Sequence, residues 1–335
     1  MALYEGIALI QEKQAVVLDL GTDYTKFGFT GEAAPRCIVR SEFWCASTRS
    51  YRRVHDYETP EELYDNLVHM LHLLYFRHVL VNPKERKVVV VESLLTPTLF
   101  RETLAKVLFT HYEVSGVIWA DSPRLCALTL GTPVSLVVSV GAREAEVAAV
   151  KTCFVTTRER ALQWSTDKPP TPARDVTYGC GARGTITVPG VARELAAEPM
   201  FARDNELASL PDAVLQCIAL CPIDARRALA ENVLVAGGGA ALPGLRARLA
   251  KELAHLVTQP PYNSRLHIRE FKFHSAPAHE NACAWVGGAV LGAGEAGAAR
   301  ALPREHYARE PRLRDWVCLL DNTPPSHPHR DYLDI

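Results

Sequence analysis

Three turns in this chain place glycine directly after an apolar run. The first is Asp19-Leu20-Gly21-Thr22-Asp23-Tyr24-Thr25-Lys26. The second is Val138-Ser139-Val140-Gly141-Ala142-Arg143. The third is Leu234-Val235-Ala236-Gly237-Gly238-Gly239, followed by Leu242-Pro243-Gly244. Glycine at a strand end lets backbone N–H groups converge on an anion. Lys26 would add positive charge beside a phosphate, and Asp19 would hold a divalent cation through water. The glycine triplet would let backbone approach a flat ring such as adenine. A single turn of this kind is most often only a tight turn, but three at the ends of strands can meet in one cleft. The candidate nucleotide residues are therefore Gly21, Thr22, Lys26, Gly141, Gly237, Gly238 and Gly239, with Asp19 a weak metal candidate. No residue is assigned a catalytic role.

The elements that would position these turns alternate between strand and helix. Ala15–Leu18, Lys26–Phe29 and Arg36–Val39 read as a three-stranded meander. Leu63, Leu67, Met70, Leu71 and Leu74 share one face of a helix over Glu61–His78, started by Thr59-Pro60-Glu61-Glu62. Lys87–Val91 is a strand with both faces covered. Thr98–Leu108 is helical, Gly116–Trp119 extended, Pro123–Leu130 helical and Val134–Val140 extended. Further along, Pro211–Leu220, Pro222–Ala230, Pro243–Leu256 and Ala282–Leu291 are predicted helices, and Asn232–Ala236 and Leu266–Phe273 predicted strands. The stretch Ser165–Gly190, rich in proline and glycine, reads as a loop with at most a hairpin around Thr185–Val188. The tail after Gly292 is predicted to fray. This alternation indicates an α/β fold.

Composition narrows the function. The 335 residues carry 37 Lys+Arg against 38 Asp+Glu, a formal net charge of −1, which gives no electrostatic footprint for nucleic acid or an anionic membrane. Neither a secretory leader nor an apolar run long enough to span a bilayer is read, so no membrane insertion is expected. Nine scattered cysteines, the nearest being Cys217 and Cys221, fit free thiols in a reducing compartment. Cys217 is expected to be buried. His69 and His72 have a spacing that could bind metal, but no acid or cysteine cluster completes the set. Trp44 beside Arg49, Arg52 and Arg53 reads as a solvated basic loop rather than a nucleic-acid site.

Several segments resemble actin and the actin-related proteins. Asp19-Leu20-Gly21-Thr22 with Lys26-Phe27-Gly28-Phe29-Thr30-Gly31-Glu32-Ala33-Ala34-Pro35-Arg36 resembles the family's first phosphate loop and following hairpin. Glu231-Asn232-Val233, the glycine triplet and Leu242-Pro243-Gly244 are similar to its adenine-side motif. Cys221-Pro222-Ile223-Asp224, Arg226 and Trp285-Val286-Gly287-Gly288 match flanking segments. The resemblance implies an actin-like, ribonuclease-H-like fold of two lobes. The lobes are expected at 1–131 and 132–293, with the irregular loop at 165–190 and a partly flexible C-terminal segment, 294–335, returning to the first lobe. Met1–Gly6, Leu74–Pro83 and Phe100–Leu104 resemble the branch of the family that caps the pointed end of the dynactin filament. That likeness implies cytoplasmic, cytoskeletal partners: the actin-related filament subunit and the small pointed-end subunits.

Departures from the family pattern qualify what is carried over. Ser139 stands where the family places a metal-side Asp, and Ala142 at the next acidic position. Ser122 and Glu146 fall near the water-positioning Gln and His. A serine lacks the charge that anchors hydrated magnesium, and without positioned water in-line attack loses its orientation. Hydrolysis is not expected, and ATP or ADP with magnesium is expected at most weakly. The interval from Val39 to Glu61 is too short for the family's small subdomain with its polymer-contacting loop. A second shortening, at Val150-Lys151, removes part of the upper large subdomain. The leading expectation is a non-catalytic filament-capping subunit supporting dynein-driven transport. A functioning ATPase of the actin, sugar-kinase and chaperone superfamily, or a truncated non-functional product, are the alternatives.

Overall fold

The computed structural model describes residues 14–84, 86–94, 96–132, 134–141, 152–179, 185–203 and 209–313. The meander forms as β1 (Val16–Leu20), β2 (Tyr24–Phe29) and β3 (Cys37–Arg40), each antiparallel to the next. A two-stranded hairpin follows, β4 (Glu42–Cys45) and β5 (Ser50–Arg53), paired Phe43↔Arg52 and Trp44↔Tyr51. Helix α1 (Pro60–Leu73) starts where Thr59 accepts from the Glu62 N–H, and runs on into a wide turn at Leu74–Val79. Then come β6 (Lys87–Glu92), α2 (Thr98–Lys106), β7 (Gly116–Asp121) and α3 (Ser122–Leu130). Strands β1, β6 and β7 are parallel neighbours, in the sheet order β13 (Leu302–Pro303)-β7-β6-β1-β2-β3.

A second sheet uses later segments. Its strands are β8 (Leu136–Ser139), β11 (Val233–Ala236) and β12 (Phe273–His274), all parallel with β11 central. Between β8 and β11 lie α4 (Arg158–Trp164), the hairpin of β9 (Val176–Gly179) and β10 (Thr185–Val188), α5 (Gly190–Leu195), α6 (Leu210–Leu220) and α7 (Ile223–Glu231). After β11 come α8 (Leu245–Leu256), the short α9 (Tyr262–Arg265), α10 (Cys283–Ala293) and β13 (Leu302–Pro303).

Strand alternation sorts the core. Val16, Leu18, Val88 and Val90 face α1 and α2 through Leu67, Leu71 and Leu104. Val17, Val89 and Val91 face the other way, onto Trp285 and Ala289 of α10. Both sides of the first sheet are therefore covered, which is why Lys87–Glu92 is an apolar run. In the second sheet Leu136, Val138, Val233 and Val235 pack on Leu215 and Ile218 of α6 and Leu249 and Leu253 of α8. Its opposite face presents Leu234 and Ala236 to Cys126 of α3 and Cys283 of α10. Helices α3 and α10 thus form a layer touching both sheets. Trp285 fixes α10 to the first sheet by donating to the Val17 carbonyl at 3.1 Å. The expected second-lobe range, 132–293, accordingly ends in a helix packed on the first sheet.

Three local expectations need correction. Leu266–Phe273 is not a strand; only Phe273 and His274 pair with β11. Leu266, Ile268 and Phe271 instead pack onto the second core ahead of that pairing, so their apolar spacing reflects burial without a ladder. Cys217 is exposed, because α6 buries the face of Val214, Leu215 and Ile218. The tail does not fray at once after Gly292. Leu302 and Pro303 pair antiparallel with β7, and Tyr307 stacks on Phe109 at 4.4 Å. The shortening near Val150-Lys151, the Ala142 and Glu146 positions, Met1–Gly6 and the tail beyond 313 lie outside the described residues.

Candidate functional site

Asp19 and Lys26 are opposite one another on β1 and β2. Their side chains form an ion pair of 2.8 Å, and both are mostly buried. The residue expected to meet a phosphate and the residue expected to meet a metal therefore satisfy each other. The turn between them, at Gly21 and Thr22, is held from outside. The Gly21 carbonyl accepts from Ser41 Oγ at 2.6 Å and lies 3.3 Å from His55 Nε2. His55 itself stacks on the Phe100 ring. Burial, outweighing the Gly21 contact and Asp56, holds its imidazole below the usual histidine range.

The other two turns meet at the carboxyl ends of β8 and β11, where Ser139 pairs with Ala236. Gly237 has φ +94°, and a Cβ there would lie 2.4 Å from the Val140 carbonyl oxygen. The Gly239 N–H donates to that oxygen at 2.9 Å, so the triplet closes onto the second turn through backbone. Gly141 and Gly238 face open space. Two of the three glycine turns are thus brought together directly, and the first turn belongs to the other sheet. The layer between them is α3. Its Cys126 thiol is pushed up, first by the neighbouring Cys283 thiol and then by burial, and feels smaller opposing fields from Asp19 and Lys26.

Sequence reasoning named Asp19 but missed Glu92 and Asp121, which extend it into a row of acids at the carboxyl edge of the first sheet. Asp19, Glu92 and Asp121 sit at or near the ends of the parallel strands β1, β6 and β7, with Glu92 opposite Asp121. Each is answered by a cation: Lys26 for Asp19, Arg101 for Glu92, and Arg124 for Asp121 at 3.2 Å. Asp121 also caps α3 by accepting from the Arg124 N–H at 2.9 Å. The signal was present in the sequence, since Leu18-Asp19, Val91-Glu92 and Ala120-Asp121 each end an apolar run in an acid. Ser41 and His55 left no such signal.

This donor set fits a magnesium–nucleotide complex poorly. Asp19 is neutralised by Lys26, and Ser139 offers a neutral hydroxyl where a divalent cation needs charge. Among the described residues no group of three or more His, Cys, Asp or Glu could hold a metal ion. The His69 ring stacks on Phe43 at 5.0 Å, and its Nδ1 lies 2.8 Å from the Asp65 carbonyl oxygen. Recesses of about 370 and 340 Å³ open beside Tyr64 and Lys106 and beside Tyr262 and Arg265, and no cleft residue lines either. Among the described residues no helix is long and apolar enough to cross a membrane.

Residues 54–162 and 186–310 match the protein family described as Actin. Actin-related protein 10 of Dictyostelium discoideum is 25% identical over 166 residues, covering 42% of this chain and 35% of that protein. The chain therefore aligns with only about a third of the length of that relative. Actin-related protein 2 of Arabidopsis thaliana is 24% identical over 398 aligned positions, covering 93% of this chain and 99% of that protein.

Proposed function

The chain belongs to the actin family, and from that premise we propose that it is a non-catalytic actin-related subunit that ends a filament. The filament is the short actin-related one of dynactin, and the position is its pointed end. The subunit would support dynein-driven transport along microtubules from the cytoplasmic cytoskeleton. Its partners would be the adjacent filament subunit and the small pointed-end subunits.

One observation carries this reading. Between β3 and α1, where a polymerising member of the family carries a small subdomain and its polymer-contacting loop, this chain has only the β4–β5 hairpin. A subunit without that loop lacks the grip for a further subunit on its pointed side, while the opposite face is free to join the filament. Ser139 and the closed Asp19–Lys26 pair support the absence of hydrolysis. The open space at Gly141 and Gly238 favours, as a second reading, residual weak binding of ATP or ADP.

Two measurements test the reading. ATP turnover with magnesium is expected to match that of a Lys26→Ala variant; a clear rate abolished by that substitution overturns the non-catalytic assignment. Affinity purification of the tagged chain from cells is expected to recover the filament and pointed-end subunits of dynactin, and recovery of none of them overturns the capping assignment.

A further inference from the structure

The β4–β5 hairpin has two unlike faces. Phe43 is buried and stacks on His69 of α1, and Arg52 opposite it reaches Glu62 at 3.6 Å. That face anchors the hairpin to the first lobe. Period-two alternation turns the next pair outward. Trp44 and Tyr51 are directly opposite, edge to face at 5.3 Å, and are 55% and 66% exposed. An aromatic pair of this size held in water by a rigid hairpin, with the neighbouring pair buried, is unusual in a free surface and typical of an interface anchor.

The charge on the outward side of the hairpin leans basic. Arg40 at its root, Arg49 at its tip and Arg53 stand against Glu42, while Arg52 is turned to Glu62 on the anchoring face. Arg49 at the hairpin tip is exposed and takes a left-handed φ of 51°. Arg40 is 56% exposed, and its contact with Glu42 is a long 4.0 Å. A basic rim around an aromatic centre complements an acidic segment bearing an apolar or aromatic side chain.

We propose that the outward face of this hairpin is the docking surface for an acidic segment of a non-actin partner subunit, with Trp44 and Tyr51 as anchors and Arg40 and Arg49 as the steering charges. The proposal rests on the capping reading, and makes the partner one of the small pointed-end subunits. The hairpin that replaces the family's polymer contact would then be a graft site for a different kind of chain.

The test reconstitutes the full chain with purified filament subunit and purified small pointed-end subunits. It compares wild type with Trp44→Ala/Tyr51→Ala and with Arg40→Glu/Arg49→Glu. Both variants alter exposed side chains, and thermal unfolding confirms their folding. Each variant is expected to lose at least tenfold in affinity for the pointed-end subunits while keeping its affinity for the filament. Wild-type binding should also weaken as salt rises from 50 to 200 mM, through a slower association rate. Unchanged affinity in both variants overturns the proposal and leaves the capping reading intact. Loss of wild-type self-association in the variants, with partner binding unchanged, overturns it too and makes the face a homotypic contact. A wild-type chain that binds neither the filament nor the pointed-end subunits overturns both.

Discussion

The first glycine turn is governed by residues distant from it in sequence. Its carbonyl at Gly21 is held by Ser41 and His55, and its charged flanks, Asp19 and Lys26, hold each other. Neutral His55 is therefore part of the native turn. Its folded pKa lies below the unfolded value, so over the window below about 6.5 the unfolded chain binds the proton more readily. Stability is expected to be full above that window and to decline as pH falls through it. Thermal unfolding between pH 7.5 and 5.5 should show the decline, and His55→Gln should flatten it. An equally steep profile in the variant would locate the pH sensitivity elsewhere. Asp19 and Lys26 were legible as the charged flanks of the first glycine turn. Their mutual neutralisation was not, because the sequence shows two opposite charges but not whether an absent ligand or each other completes them.

At the scale of elements, the α3–α10 contact determines how the two sheets are joined. A Cβ on Gly287 would lie 2.0 Å from the Leu125 carbonyl oxygen, so these helices touch backbone to backbone. On either side of that contact Leu125 packs toward the first sheet and Cys126 toward the second. Gly287→Ala is expected to force the helices apart and to cost about 1–3 kcal/mol in urea unfolding. Gly238→Ala, whose Cβ meets open space, should cost less than about 0.5 kcal/mol. Similar losses in both would sink the claim that the helix contact is special. Helix α1 was legible because its apolar periodicity and its Thr59 cap specify it locally, and α3 is bounded by the Asp121 cap and Gly131. By contrast α10, apolar around its circumference and without a side-chain cap, shows in the sequence only as an apolar run. Leu266–Phe273 was read as a strand over its whole length because apolar spacing records which side chains are buried, not which of them reach the neighbouring strand β11, and only Phe273 and His274 do. The docked Leu302 and Pro303 were missed for the complementary reason. Their strand is two residues long, and its partner lies in β7, far away in sequence.

For the whole molecule, the proposed capping role requires that the hairpin, in place of a polymer-contacting subdomain, separate joining a filament from extending it. A subunit with one competent face adds to an end and stops growth there, so it should act at numbers matched to filament ends rather than to filament mass. Added to growing filaments of the actin-related subunit, the chain is expected to shorten the mean length in proportion to its molar ratio, with little change in total polymer. Alone at the same concentration it should form no sedimenting polymer. Length distributions by electron microscopy, with sedimentation as the measure of mass, decide the matter. Co-polymerisation along the filament, with the chain recovered in proportion to mass, would mean that its pointed side still accepts a neighbour, and that the hairpin has taken over the contact it was expected to abolish. The Trp44→Ala/Tyr51→Ala variant makes the distinction sharper. The proposal assigns capping to the face opposite the hairpin, so this variant should shorten filaments as wild type does while losing the pointed-end partner. If it also fails to shorten them, the hairpin itself faces the filament and the assigned polarity is reversed.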